Sequence, residues 1–311
     1  MMLKNFDFIA KRKLFLYISI GILLIGLIVN LIMGVELDIQ FKGGTLLQYT
    51  YENDLDKVAA TEFIREKFAD AEVDITENGE NGLPTIAISM SDEIDIETQT
   101  TFVEQLQKEF PDSGITATKT NSLQPSYGRT FFAKCCVAIL IASLFLVIYV
   151  GLRFRKIGGF SAGVMSLLAL LHDILIAYFV FVIFRIPLND NFVAVVLTIL
   201  GYSLNDTIVI YDRIRENRKK MDKKTHINEV VNLSLSQSFG RTLNTSICTF
   251  VAIGTVAVIA LIFSLDAIIS FAIPMSIGVI VGFYSSTFLC TPLWALWVEH
   301  SEKRKNPKKR K

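Results

Sequence analysis

GYSLNDTIVIYDRIREN, Gly201 to Asn217, decides how this chain is read: an amide, a carboxylate and then a basic cluster sit on a helix whose flanks make it membrane-spanning. The approach, Phe192 to Leu200, is almost unbroken hydrocarbon, and Ile208, Val209 and Ile210 resume it after Asp206. Counted from Phe192 at about 1.5 Å per residue, Asp206 lies roughly 21 Å into a hydrocarbon layer of about 30 Å. A carboxylate at that depth is costly, which makes it a candidate functional group. Thr198, Tyr202 and Asp206 recur every fourth residue and form a polar stripe expected to face other helices.

The rest of the chain supports a bilayer setting. It is 51% hydrophobic with a net charge of +1, too apolar for a soluble chain of this length, and its apolar residues fall in long runs. Six runs are long enough to span: Leu14 to Val35, Phe131 to Val150, Phe160 to Phe184, Phe192 to Tyr211, Leu243 to Phe263, and the overlong Ile269 to Val298, which is expected to tilt or to extend past the membrane. The first is too long for a signal-peptide core and lacks a clear small-residue cleavage site, so it reads as a retained anchor.

Cations set the expected orientation. Lys4, Lys11, Arg12 and Lys13 precede the first run, Arg153, Arg155 and Lys156 follow the second, Arg213, Arg215, Arg218, Lys219 and Lys220 follow the fourth, and a lysine-rich tail follows the sixth. All four clusters fall on one side, which the positive-inside rule makes cytoplasmic, together with both termini. The expected organisation is a cytoplasmic N-terminus over 1–13, a first span over 14–35, an outer domain over 36–130, spans two to six over 131–298 and a basic tail over 299–311. The tail reads as a solvated topology signal rather than a binding site.

Residues 36–130 carry their own fold. Acids such as Glu62, Glu66, Asp92, Glu93, Asp95 and Glu97 accompany alternating and helical apolar patterns. The order is strand (Thr45 to Tyr51), helix (Leu55 to Phe68), two strands (Glu72 to Thr76, Thr85 to Met90), helix (Ile96 to Phe110) and strand (Ile115 to Asn121). This βαββαβ order predicts an extracytoplasmic α+β domain of ferredoxin-like plait type. The fold class is thus a multi-pass α-helical membrane protein with six transmembrane helices and one such domain.

Several boxes resemble the SecF branch of the SecD/SecF family, bacterial protein-export subunits of the resistance-nodulation-division superfamily. The Gly201 stretch is similar to that family's fourth transmembrane helix, and DIQFKGGT (Asp38 to Thr45) to its Asp-Phe-x-Gly-Gly-Thr box after the first span. ALLHD (Ala169 to Asp173) resembles the third span, RTLNTS (Arg241 to Ser246) the start of the fifth and GFYSSTF (Gly282 to Phe288) the sixth, while the proline-glycine box before the second span survives only as QPSYG (Gln124 to Gly128). The resemblance implies a subunit of the bacterial inner membrane that works with SecD, YajC, the SecYEG channel and the SecA motor, using the proton gradient to draw unfolded polypeptides across. It also implies that Asp206 and Arg241 take part in proton conduction.

From the residues themselves, Asp206 is either a carboxylate that loads and releases a proton or one that only hydrogen-bonds its neighbours. Arg241, opening the fifth span on the side toward which Asp206 is displaced, is either its partner or an arginine snorkelling to headgroups. His172 and Asp173, near the middle of the third span, form either a proton relay or a polar pair holding helices together. Asn205, Thr207 and Tyr202 are expected to serve helix packing, as are Gly278, Gly282, Ser285 and Ser286. Cys135, Cys136, Cys248 and Cys290 all fall in apolar runs, so no disulfide framework is implied. With no metal-ligand cluster, phosphate-binding glycine loop or nucleophile triad in the sequence, the chain is expected not to be an enzyme and to use no cofactor, metal or nucleic acid. A half-exporter of small molecules or lipids from the same superfamily and a passive assembly scaffold are the rival readings.

Overall fold

The computed structural model describes residues 6–305 apart from 39–40, 42–43, 54, 70, 77–82, 91–93, 124, 223–224 and 264. Lys4, parts of the Asp38 and Gln124 boxes, Asp92, Glu93 and the tail beyond 305 therefore lie outside the described residues. The helices are α1 (Arg12–Met33), α2 (Lys57–Lys67), α3 (Ile96–Glu109), α4 (Pro125–Arg153), α5 (Gly159–Ile183), α6 (Asp190–Lys220), α7 (Ile227–Ile262), α8 (Asp266–Tyr284) and α9 (Thr291–Lys305). The strands are β1 (Gly44–Thr50), β2 (Glu72–Thr76), β3 (Thr85–Met90) and β4 (Thr116–Leu123).

Six helical stretches are long and apolar enough to cross a membrane: Arg12–Met33, Thr130–Arg153, Gly159–Ile183, Asp190–Lys220, Ile227–Ile262 and Ala267–Arg304. The last runs through α8 and α9, joined by a π-helical turn at Ser285–Cys290. The overlong sixth run is thus one helix with a change of hydrogen-bond register, a device that re-aims side chains and is common at functional sites.

The other departure from the apolar runs lies between α6 and α7. Helix α6 continues beyond Tyr211 to Lys220, and α7 begins at Ile227, well before Leu243. Hydropathy ends where charges begin, but helical periodicity does not. Ile214, Ile227, Val230, Val231 and Leu235 form an apolar face that packs with Phe8 and Trp294 in one buried cluster. Asn217 Nδ2 donates to Ser234 Oγ at 2.9 Å and to Gln237 Oε1 at 2.8 Å, holding the two extensions as a hairpin.

Helix α5 is the most buried span, and glycine lets its start approach α4. A Cβ added to Gly159 would lie 2.1 Å from the Gly151 carbonyl oxygen. Helices α6 and α8 meet in the same way, since a Cβ on Gly278 would lie 2.2 Å from Ile199 Cδ1. Small residues at these crossings give the backbone proximity that membrane helices need in the absence of a hydrophobic drive between them.

The remaining elements make the expected plait. The four-stranded antiparallel sheet has the order β2-β3-β1-β4, the split-βαβ arrangement of a ferredoxin-like domain. Leu47, Tyr49, Ile86 and Ile88 meet Ile64, Phe102 and Leu106 from α2 and α3 in a separate buried cluster. Asp56 caps α2 by accepting from the Val58 and Ala59 amides at 3.0 and 3.1 Å. Two attachments link the domain to the helices. β4 ends at Leu123, two residues before α4. The segment leaving α1 is strapped to the α5–α6 connection by Leu188 N donating to Glu36 O at 2.9 Å, Asp38 N to Leu188 O at 3.0 Å and an Arg185–Glu36 ion pair.

Candidate functional site

The π-helical turn delivers two hydroxyls into the centre of the bundle. Asp173, fully buried on α5, accepts from Ser203 Oγ of α6 at 2.6 Å and from Ser285 Oγ at 2.8 Å, both on Oδ2. Its Oδ1 lies 3.0 Å from His172 Nδ1. The network extends through Ser286, whose hydroxyl donates to the Ser203 carbonyl at 2.9 Å and lies 3.0 Å from Thr207 Oγ1. Thr291 Oγ1 then donates to the Ser286 carbonyl at 3.0 Å, supplying a partner where the register changes. Three helices thus converge on one carboxylate, and a polar network in apolar surroundings is stable only when its members are satisfied.

Three buried atoms in this part of the bundle break that rule. His172 Nε2, Asp206 Oδ2 and Thr287 Oγ1 have no hydrogen-bond partner. Asp206 is 1% exposed, three residues beyond Ser203 on α6. It faces the Ser246 hydroxyl of α7, which Tyr202 Oη also reaches at 3.1 Å. Tyr202, Ser246 and Asp206 therefore form a second polar group beside the first, with Ser203 and Thr207 on the intervening surface of α6. Among the described residues no hydrogen bond joins the two groups, and the Asp206 Oδ2 oxygen is left without a partner.

The structure separates the remaining candidates. Arg241 is exposed and lines a cavity between α6 and α7, and its side chain forms no ion pair with Asp206. Asn205 is exposed, on the opposite side of α6 from the buried Leu204 and Thr207 cluster, and Thr198 turns its hydroxyl back to the Ala194 carbonyl at 2.7 Å. The repeat of four that grouped Thr198, Tyr202 and Asp206 accordingly yields a partner for Tyr202 but not for Thr198. Among the described residues no group of three or more histidines, cysteines or acids is placed to hold a metal ion.

Sequence reasoning missed Ser203 and treated Ser285 and Ser286 as packing residues, although Ser203 and Ser285 donate to the carboxylate and Ser286 extends the network to the Ser203 carbonyl. Their signal was position: Ser203 and Thr207 are four apart on an otherwise apolar face, and the serine pair sits in an overlong span.

Comparison with known proteins agrees with this architecture. Residues 102–300 match the family described as protein export membrane protein SecD/SecF, C-terminal. The protein translocase subunit SecF of Petrotoga mobilis is 33% identical over 297 residues, covering 93% of this chain and 95% of that protein. The protein translocase subunit SecDF of Bacillus subtilis is 30% identical, covering 94% of this chain and 38% of its own length. A crystal structure of SecDF in its super-membrane-facing form matches with TM-score 0.67 at 25% identity, over 97% of this chain and 40% of that one. The SecDF of Thermus thermophilus, a translocon-associated membrane protein, has the same fold at TM-score 0.78 and 24% identity, covering 96% of this chain and 39% of that one. This chain therefore spans about two fifths of the SecDF chains and nearly all of the SecF relative. With the match covering the second to sixth spans and the hydroxyl-bound Asp173, the chain belongs to the SecD/SecF family of protein export membrane proteins.

Proposed function

We propose that the chain is a SecF-type accessory subunit of the bacterial inner membrane, pairing with a SecD-type half and using the proton gradient to promote late steps of export through the SecYEG channel. Both termini face the cytoplasm and the plait faces outward, as the cation distribution requires. SecA and YajC belong to the same assembly by the resemblance stated above. The relatives' names, protein translocase subunit in each case, support the export role over an exporter of small molecules.

The observation that carries proton coupling is Asp206, 1% exposed with one carboxylate oxygen unpartnered. A charge held in that state is unfavourable, so the group favours protonation there and release when water or a cation reaches it. Arg241 is the cation of α7, five residues before the Ser246 that faces Asp206, and a shift of α7 against α6 would carry it toward or away from the carboxylate. Movement reaches the plait through the α1 strap on Leu188 and through the short β4–α4 junction. A potential of about 100 mV supplies roughly 2.3 kcal/mol per charge, whereas moving an equilibrium from 1:99 to 99:1 needs about 5.5 kcal/mol. One proton biases such a motion, and the remainder comes from further protons or from the SecD half.

Asp206→Asn keeps shape and hydrogen bonding but cannot titrate. In proteoliposomes holding the complete translocase, the variant should assemble normally and lose the stimulation of translocation by an imposed gradient. Wild-type gradient dependence in that variant would leave Asp206 as a packing residue and support the scaffold reading.

A further inference from the structure

Where α6 and α7 run past their apolar spans they enclose a cavity of about 630 Å³. Its walls carry Arg213, Arg215, Lys219 and Arg241 against two acids, Asp212 and Glu216, with Ile208 and Val209 on the side of the apolar span. The acids are already engaged. Asp212 pairs with Arg215 at 2.7 Å and with Arg153 at 3.3 Å, and Glu216 pairs with Arg213 and Lys220, each at 2.6 Å. Among the described residues, Lys219 and Arg241 have no acidic partner. Two unneutralised cations therefore face one cavity whose apolar wall, Ile208 and Val209, lies on the side of the spanning part of α6.

We propose that this cavity binds the phosphate headgroup of an anionic phospholipid, with Lys219 and Arg241 as its counter-charges and the start of an acyl chain against Ile208 and Val209. A phosphodiester offers acceptor oxygens to the Arg241 fork and a charge to the Lys219 ammonium. Basic pockets between helices at a membrane interface select anionic over zwitterionic lipids, because the latter bring their own cation. The apolar wall favours a lipid over free phosphate. The proposal shares Arg241 with the proton-coupling reading but is tested separately from it, since binding is read on the isolated chain without a gradient.

The test is native mass spectrometry of the purified full chain in detergent, titrated separately with phosphatidylglycerol and phosphatidylcholine of matched acyl chains. The wild type should retain phosphatidylglycerol preferentially, and Lys219→Gln with Arg241→Gln should weaken that retention by roughly thirtyfold, two interfacial cations' worth. Lys303→Gln, removing a cation already paired with Glu299 on α9, should leave retention unchanged. Equal retention of the two lipids, or an equal loss in Lys303→Gln, would overturn the site. Displacement of phosphatidylglycerol by millimolar inorganic phosphate would assign the cavity to free phosphate instead and overturn the lipid.

Discussion

Ser203 Oγ lies 2.6 Å from Asp173 Oδ2, joining the third and fourth membrane-spanning helices where neither side chain meets solvent. Ser285 makes the second bond to the same oxygen at 2.8 Å, so the sixth span is held by the same carboxylate. Asp173→Ala would leave two buried hydroxyls and the His172 ring without their acceptor. Each orphaned group costs about 1–3 kcal/mol, so thermal melting of the purified chain should fall clearly for Asp173→Ala, less for Asp173→Asn and by about 1 kcal/mol for Ser203→Ala. Unchanged melting of Asp173→Ala would remove this network from the stability of the bundle.

Much of the fold was legible in the sequence because hydrophobic period and length are sequence properties. The six spans and the order of the plait both come directly from them, with the plait's strand and helix ends within a few residues. The helical hairpin beyond Tyr211 was not legible as structure, since its apolar face reveals itself only against Phe8 and Trp294, residues far away in the chain. The same limit applies to the site. His172, Asp173 and Asp206 declare themselves as polar residues in apolar runs, whereas Ser203 and Ser285 are ordinary small residues until a π-helical turn aims them at a carboxylate.

The α4–α5 crossing yields a backbone test. A Cβ at Gly159 would meet the Gly151 carbonyl oxygen at 2.1 Å, and a carbonyl cannot rotate aside as a side-chain end can. Gly159→Ala should destabilise the purified chain by about 1–3 kcal/mol as the helices are forced apart. Gly201→Ala, where no atom lies within 4 Å, should be neutral or stabilising by up to about 1 kcal/mol from helix propensity. Equal melting temperatures for the two variants would show that the crossing tolerates a wider spacing.

The N-terminal segment should respond to acid. Asp7 Oδ1 accepts from the Ala10 amide at 2.9 Å and from Asn232 Nδ2 at 2.7 Å, while Asn232 Oδ1 accepts from the Ile9 amide at 3.2 Å. The Ala10 amide and then Asn232 hold the Asp7 carboxyl below its ordinary value. A depressed carboxyl contributes stability above its unfolded value of about 3.9 and loses it as pH falls through the folded value. Hydrogen exchange at Ala10 should therefore speed up, beyond its intrinsic pH dependence, only below about pH 4, and Asp7→Asn should remove that transition. Asp7 is largely solvated, so the effect is expected to be local, without loss of the helical bundle. A transition near neutrality would place the responsible group elsewhere.

The plait has a cluster of its own and should fold without the membrane. Leu47, Ile64, Ile86, Ile88 and Leu106 are fully buried within it, and none of them packs on a spanning helix. A soluble fragment of residues 38–122 should unfold in one cooperative transition in denaturant. Tyr49, 1% exposed on β1, adds an internal check, because burial pushes its hydroxyl up to about 12. In the unfolded chain tyrosine ionises near 10, so the native state favours the neutral ring, and its contribution is complete below about pH 10 and lost as pH rises toward 12. Unfolding free energy of the fragment should fall over that window by an amount on the order of 1–2 kcal/mol more than in Tyr49→Phe. A fragment that never shows a cooperative transition would make the plait dependent on the bundle. A cooperative fragment whose alkaline loss matches that of Tyr49→Phe would keep the domain autonomous and remove Tyr49 as the group that titrates.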